Sequence, residues 1–141
     1  MSRTLIAAAL TLTLTAFAPP ASTAGQATDE SAVTLALSAG RQIFRQFCAP
    51  CHGLGKGDGP IASMVTASPL LDLTQLKRRS QGEFPVEALA AMLAQTAHPK
   101  TPAHGSQMPL WGPTFQAIDG SPTLGRARIT NLLAYIESIQ H

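Results

Sequence analysis

Apolar residues recur at helical spacing along most of the chain. From Ala32 to Gln46 they are dense enough to predict an amphipathic first helix. Gly40 lies inside this segment, where a glycine costs about 1 kcal/mol relative to alanine. It is either a tolerated glycine or the point where another helix crosses closely. The apolar positions are Leu35, Leu37, Ala39, Ile43, Phe44 and Phe47.

Three further helices are predicted from their start signals. Asp72 is a suitable N-cap for a short helix, and Pro85 can begin a helix over residues 86–97. Ser121, followed by a proline, opens a final helix that ends near Gln140. No run alternates convincingly as a strand, so we expect an all-α domain without internal repeats. The apolar side of the final helix is predicted to hold Leu124, Ile129, Leu132, Leu133, Ile136 and Ile139.

The first 24 residues have the composition of a cleavable secretory signal peptide. A basic start at Arg3 precedes an apolar run over residues 5–17, and small residues lead to Ala24. Thirteen helical residues cover only about 20 Å, which is short of the roughly 30 Å of a membrane core. We therefore expect cleavage after Ala24, a flexible N-terminus over residues 25–34 and a single folded domain over residues 35–141.

Charge and size narrow the possible functions of the mature chain. The whole chain has a formal net charge of +2, and loss of Arg3 with the signal peptide leaves +1. Since no basic stripe is available to neutralise phosphates, a nucleic-acid partner is not expected. No later apolar run is long enough to span a membrane. Aromatic residues make up only 5% of the chain, so a domain of this size needs something to enlarge its core.

The segment Cys48-Ala49-Pro50-Cys51-His52 has the C-x-x-C-H spacing of a covalent haem attachment site. Residues three apart on a helical turn share one face, so both sulfurs can reach the two vinyl groups of one porphyrin edge. His52 follows directly and is the candidate proximal iron ligand. Thioether formation takes place outside the cytoplasm, in agreement with the export signal.

The cysteine pair has three alternative interpretations. A thioredoxin-like redox pair would need a βαβ surround, which the pattern does not provide. A structural disulfide is usual in exported proteins but leaves His52 without a role. A zinc site would need more cysteine and histidine ligands at the usual spacing.

A second axial iron ligand can be sought among the methionines. Met92 lies in an Ala/Leu-rich helix, where packing is its usual role, and Met64 is only twelve residues past His52. Met108 lies in a polar, proline-flanked loop 56 residues past His52, far enough along the chain to reach the opposite side of a haem. We therefore predict Met108 as the distal ligand. The histidine rivals are His98 and His104, with His141 at the terminus.

These motifs resemble the class I, mitochondrial-type bacterial c-type cytochromes over residues 35–140. The resemblance implies a small cytochrome c fold of about four to five helices around one covalent haem c and its iron. It also implies that the final helix crosses the first at Gly40, that the Pro60 carbonyl accepts a hydrogen bond from the proximal histidine, and that Trp111 lies in the haem pocket. The further matching positions are Gly40, Phe44, the glycine-rich run 53–59 with Pro60, the run 108–112, Leu132 and Tyr135.

The function expected from this resemblance is single-electron transfer in the periplasm. The protein would be a soluble carrier, or the cytochrome subunit of a respiratory or dehydrogenase complex, and would work with redox partner proteins rather than as an enzyme. The alternative is a haem enzyme acting on peroxide or a small nitrogen or sulfur compound, which needs a labile sixth site. The basic cluster Lys77–Arg79 is interpreted as a solvated face, with a haem propionate partner or a docking patch as alternatives.

Overall fold

The computed structural model describes residues 23–66, 70–97 and 108–141, and within these ranges it contains helices and no strand. The predicted all-α class is confirmed. Four helices have eight or more residues in the described parts, and shorter helical turns link them. The long helices are α1 (Thr23–Ile43), α5 (Val86–Leu93), α6 (Trp111–Asp119) and α7 (Pro122–Ser138); the short ones are α2 (Ala49–His52), α3 (Ala62–Val65) and α4 (Leu76–Arg79).

Helix α1 is longer than predicted. It begins at Thr23 instead of Ala32, so the segment 25–34, which we expected to be flexible, lies within the helix. The prediction followed apolar periodicity, which starts only near Leu35, and residues 29–35 are all exposed. At the other end a π-helical turn, Phe44–Cys48, joins α1 to α2. The wider turn shifts the register of the following residues and places Cys48 in the core.

The first and last helices cross at Gly40, as predicted. A β-carbon on Gly40 would collide with the Asn131 carbonyl oxygen and lie 2.9 Å from the β-carbon of Tyr135. One turn later Phe44 packs on Tyr135, with 5.3 Å between ring centroids. Leu132, on the same stretch of α7, is completely buried. Gly40 is therefore required by a close approach between two helices.

The predicted N-caps are confirmed. The Asp72 side chain accepts a hydrogen bond from the Thr74 amide at 2.9 Å, and Ser121 caps α7 through the Leu124 amide. Most of the predicted apolar side of α7 is buried. Ile139 is only half-buried, and Leu124 is 56% exposed in the first turn, beside a groove between α1 and α7.

Helix α6 was not predicted, and α5 ends before the predicted residue 97. We expected the segment around Met108 to be a loop, but a proline such as Pro113 in the first turn of a helix loses no backbone hydrogen bond. Gly112 lets α6 start against the end of α5, since a β-carbon there would lie 2.7 Å from the Ala94 carbonyl oxygen. Gly120 then ends α6 in the left-handed conformation, with φ of 61°.

Candidate functional site

The two cysteines and the histidine of the motif lie on one stretch of helix formed by the π-helical turn and α2. Cys48 is buried and Cys51 is half-buried. Both cysteines are free, so the alternative of a disulfide between them finds no support. Their i, i+3 spacing on helical backbone places both on the same face, as attachment to one porphyrin edge requires.

The glycine-rich run after His52 folds back over this helical turn. The amides of Gly55 and Gly57 both donate to the His52 carbonyl oxygen, at 2.8 and 3.1 Å, and the Gly59 amide donates to the Cys51 carbonyl oxygen at 3.0 Å. A β-carbon on Gly59 would collide with the Pro50 carbonyl oxygen. The loop therefore needs glycine where its backbone touches the motif.

Pro60 follows this loop at an exposed position. Its neighbour Ile61 donates a backbone hydrogen bond to Pro50 at 3.1 Å, which ties the end of the loop to the motif helix. The role expected for the Pro60 carbonyl as an acceptor from His52 stays a prediction.

A largely apolar cavity brings the other predicted site residues together. Cys48, His52, Met108 and Trp111 all contribute to its lining. The remaining lining residues are aliphatic apart from one methionine: Leu71, Leu73, Leu76, Leu89, Met92, Leu93, Leu132, Leu133 and Ile136.

The methionines have different positions relative to the cavity. Met108 lines it just before α6, whereas Met64 is 80% exposed on α3 and lies outside it. Met92 also lines the cavity, which the sequence interpretation missed by treating it as ordinary packing. The signal was available, because Leu89, Met92 and Leu93 have i, i+3, i+4 spacing on α5.

The histidine rivals are not part of this arrangement within the described residues. His98 and His104 lie outside the described residues, and His141 is exposed at the C-terminus. Among the described residues, no group of three or more His, Cys, Asp or Glu side chains could hold a metal ion, so the zinc alternative finds no support there.

Burial dominates the electrostatics of the site. It raises the pKa of the Cys48 thiol to about 12, with a further contribution from the nearby Cys51. Such a thiol is protonated at neutral pH and is a poor nucleophile for disulfide exchange. The basic cluster Lys77–Arg79 is exposed on α4, and none of its side chains lines the cavity. Its interpretation as a solvated face agrees with this position.

Three aromatic side chains pack together behind the part of the cavity wall that Trp111 forms. Trp111 stacks on Phe115 with 5.3 Å between ring centroids, and Phe47 meets both rings edge-on at 5.8 and 5.4 Å. Phe115 is completely buried. Trp111 therefore connects the cavity wall to the centre of the core.

The family model for cytochrome c matches residues 37–140, most of the chain. The chain belongs to the cytochrome c family. The cytochrome accordingly has the small all-α cytochrome c fold and binds covalent haem c with its iron, and its family carries electrons on that group. No curated protein and no solved structure gives a significant match. In the described part of the cytochrome, no helix is both long and apolar enough to cross a membrane.

The residues of this chain fit the family's cofactor. Two free thiols at the required spacing, an imidazole and a thioether are the groups that bind a c-type haem, and the cavity wall between His52 and Met108 is almost entirely hydrocarbon. Hydrocarbon walls suit the porphyrin, whereas the imidazole and the thioether suit the iron.

Proposed function

We propose that this cytochrome is an exported, periplasmic carrier of single electrons with a class I, His/Met-ligated haem. The observation that carries the proposal is that Cys48, His52 and Met108 line one apolar cavity although 60 residues of chain separate the first from the last. These are the residues that would hold the haem at its edge and on its two faces.

Each site residue has a distinct task in this proposal. Cys48 and Cys51 form the two thioether bonds, His52 binds the iron from the proximal side, and Met108 binds it from the distal side. Bound haem supplies an iron that gains and loses one electron. The soft Met108 sulfur favours the ferrous state relative to a second imidazole. Trp111 closes the pocket wall beside Met108.

Supporting groups would tune the proximal ligand. A hydrogen bond from the second imidazole nitrogen of His52 to the Pro60 carbonyl would fix the ring and raise its basicity. The glycine-rich loop supports this proposal, because its hydrogen bonds to Cys51 and Pro50 place Pro60 next to the motif helix.

We expect no catalysis at the haem, because Met108 would occupy the position where a substrate could bind. A protein ligand on each face leaves no open position for a substrate, so peroxide or nitrogen and sulfur chemistry is not expected of the wild-type protein. The partners are redox proteins that donate and accept electrons, whether the cytochrome moves freely or serves as a subunit of a respiratory or dehydrogenase complex.

Export completes the proposal. Residues 1–24 form a cleaved signal peptide, residues 25–34 precede the domain, and residues 35–141 form the cytochrome c domain. The basic, apolar and small-residue order of residues 1–24 supports this division.

Mass spectrometry of the denatured, periplasmically expressed protein tests the attachment. We expect the mass of residues 25–141 plus one haem, and a haem that stays with the polypeptide in acidified organic solvent. The matched control is the double variant Cys48→Ala, Cys51→Ala, which should release any haem it binds. A wild-type haem that extracts into the solvent would refute the attachment, and a high-spin spectrum of the intact protein would favour the enzyme.

A further inference from the structure

Gln140 lies just after α7, and its side-chain amide makes three hydrogen bonds. The amide nitrogen donates to the Leu73 carbonyl oxygen at 2.8 Å and to the Ile136 carbonyl oxygen at 2.7 Å. The amide oxygen accepts from the Lys77 backbone amide at 2.9 Å. Both donor positions of the side chain are thus used, and two of the bonds cross to a segment more than 60 residues earlier in the sequence.

That segment, residues 72–77, forms part of the cavity wall. Leu73 and Leu76 line the cavity, and Thr74 between them is buried at 3% exposure. The backbone amide of His141 adds a further hydrogen bond, to the Thr74 carbonyl oxygen at 3.1 Å. The C-terminal end of the chain therefore holds this part of the wall from its solvent side.

The same segment is bonded to the loop that follows the proximal histidine. The Leu73 amide donates to the Gly55 carbonyl oxygen at 2.6 Å, and the Gly55 amide donates to the His52 carbonyl oxygen at 2.8 Å. A continuous series of hydrogen bonds thus runs from the Gln140 side chain, through both backbone groups of Leu73 and through Gly55, to the backbone of His52.

We propose that Gln140 is a positioning residue for the haem site. It holds residues 72–77 against the cavity and, through Leu73 and Gly55, restrains the backbone of His52. The inference rests on the haem site proposed above. A wall held in place excludes water from the cavity, and the hydrophobic shell around a metal site controls its reduction potential.

The three contacts require the chemistry of a glutamine at this position. Two carbonyl oxygens need two N–H donors, and the Lys77 amide needs one acceptor on the same planar group. A leucine is similar in size but satisfies none of the three. A glutamate keeps the acceptor for Lys77, but when ionised it places oxygen against both carbonyl groups.

Gln140→Leu is the first test, with Gln42→Leu as the matched control. Gln42 is exposed on α1, so its replacement makes the same chemical change away from residues 72–77. In Gln140→Leu we expect the backbone amides of Lys77 and Leu73 to exchange with deuterium about tenfold faster than in the wild type. We also expect a lower reduction potential, because water entering the cavity favours the more highly charged ferric site. Gln42→Leu should change neither.

Gln140→Glu provides a test that does not depend on whether the leucine variant folds. The groups around the side chain are Lys77, Arg78, Glu137 and His141. Above the ordinary glutamate pKa of about 4.3 the variant should show the same fast amide exchange and low potential. As the pH falls and the carboxyl becomes a donor, both should move toward wild-type values.

Unchanged Lys77 and Leu73 exchange in both Gln140 variants would overturn the positioning role. A reduction potential that stays at the wild-type value while the Lys77 and Leu73 amides exchange faster would also overturn it. Amide exchange reports on Gln140 whatever the haem does, whereas loss of covalent attachment in the wild type would refute the proposed function instead.

Discussion

The two sides of the cavity are held by different kinds of interaction. On the attachment side, residues 40–61, backbone hydrogen bonds fold the loop onto the motif, including two that converge on the His52 carbonyl oxygen. On the methionine side, residues 86–94 and 108–119, contacts between side chains dominate: Trp111 stacks on Phe115, and Phe47 reaches across from the attachment side to meet both rings edge-on.

This difference shows where each axial ligand gets its position. His52 is carried by a helical turn whose loop bonds to its own backbone, so few side chains are needed to place it. Met108 lies at the start of the segment that leads into α6, and that helix is positioned by its aromatic residues and by the contact of Gly112 with Ala94. Changes in packing should therefore affect Met108 more than His52.

Truncation of one buried aromatic residue on each side of the cavity should give the largest loss of stability. Trp111→Ala and Phe44→Ala should each lower the free energy of unfolding by about 3–5 kcal/mol, because both remove a buried ring. Only Trp111→Ala should also weaken the sulfur-to-iron absorption of the ferric protein. Chemical denaturation and the ferric spectrum measure the two effects. Equal weakening of the band in both variants would remove the distinction between the two sides.

A substitution at the crossing of α1 and α7 should give an intermediate loss of stability. Gly40→Ala should lower the free energy of unfolding by about 1–3 kcal/mol, since the new methyl group collides with the Asn131 carbonyl oxygen. The higher helix propensity of alanine would by itself raise the free energy of unfolding by about 1 kcal/mol. The sign of the measured change therefore shows whether the collision or the helix propensity dominates. Ser38→Ala, at an exposed position of the same helix, is the control for denaturant unfolding. A more stable Gly40→Ala protein would contradict the close crossing.

Removal of the ion pair between Asp119 and Arg128, at the end of α6, should give the smallest loss of stability. A hydrogen bond from Arg128 lowers the pKa of Asp119, which joins the end of α6 to α7. A lowered pKa means that the pair stabilises the fold above the ordinary aspartate pKa of about 3.9 and stops doing so as the pH falls through the lowered value.

Asp119→Asn should therefore lower the thermal unfolding midpoint slightly at pH 7 and leave it unchanged near pH 2, relative to the wild type. Asp29→Asn, which changes an exposed carboxylate on α1, is the matched control and should have no effect at either pH. A difference that grows as the solution becomes more acidic would show that the sign of this contribution is wrong.

Local signals predicted a good part of this fold. The spacing of Cys48, Cys51 and His52 and the caps at Asp72 and Ser121 involve residues two to four positions apart, so the sequence displays them directly. Helix α6 was missed because the segment of Met108, which ends at Gly112, was assigned to a loop. The real role of Gly112 is a contact with Ala94, which only the packed structure reveals.

The site was predictable to a similar degree. Met108 was predicted from its loop and Trp111 from the family resemblance, and both line the cavity. Met92 and Gln140 were not identified as site residues. The spacing of Leu89, Met92 and Leu93 on α5 was a usable signal for Met92. The contribution of Gln140 depends on a contact across 63 residues of chain, which no local pattern displays.

The ferric absorption spectrum of Met108→Ala, compared with Met92→Ala, tests the central claim most directly. Both methionines line the cavity, so each variant removes one thioether from it. We expect Met108→Ala to keep its covalent haem, to lose the sulfur-to-iron charge-transfer band and to have a lower reduction potential, whereas Met92→Ala keeps the band. A band that survives in Met108→Ala, or that disappears in Met92→Ala instead, would contradict the account.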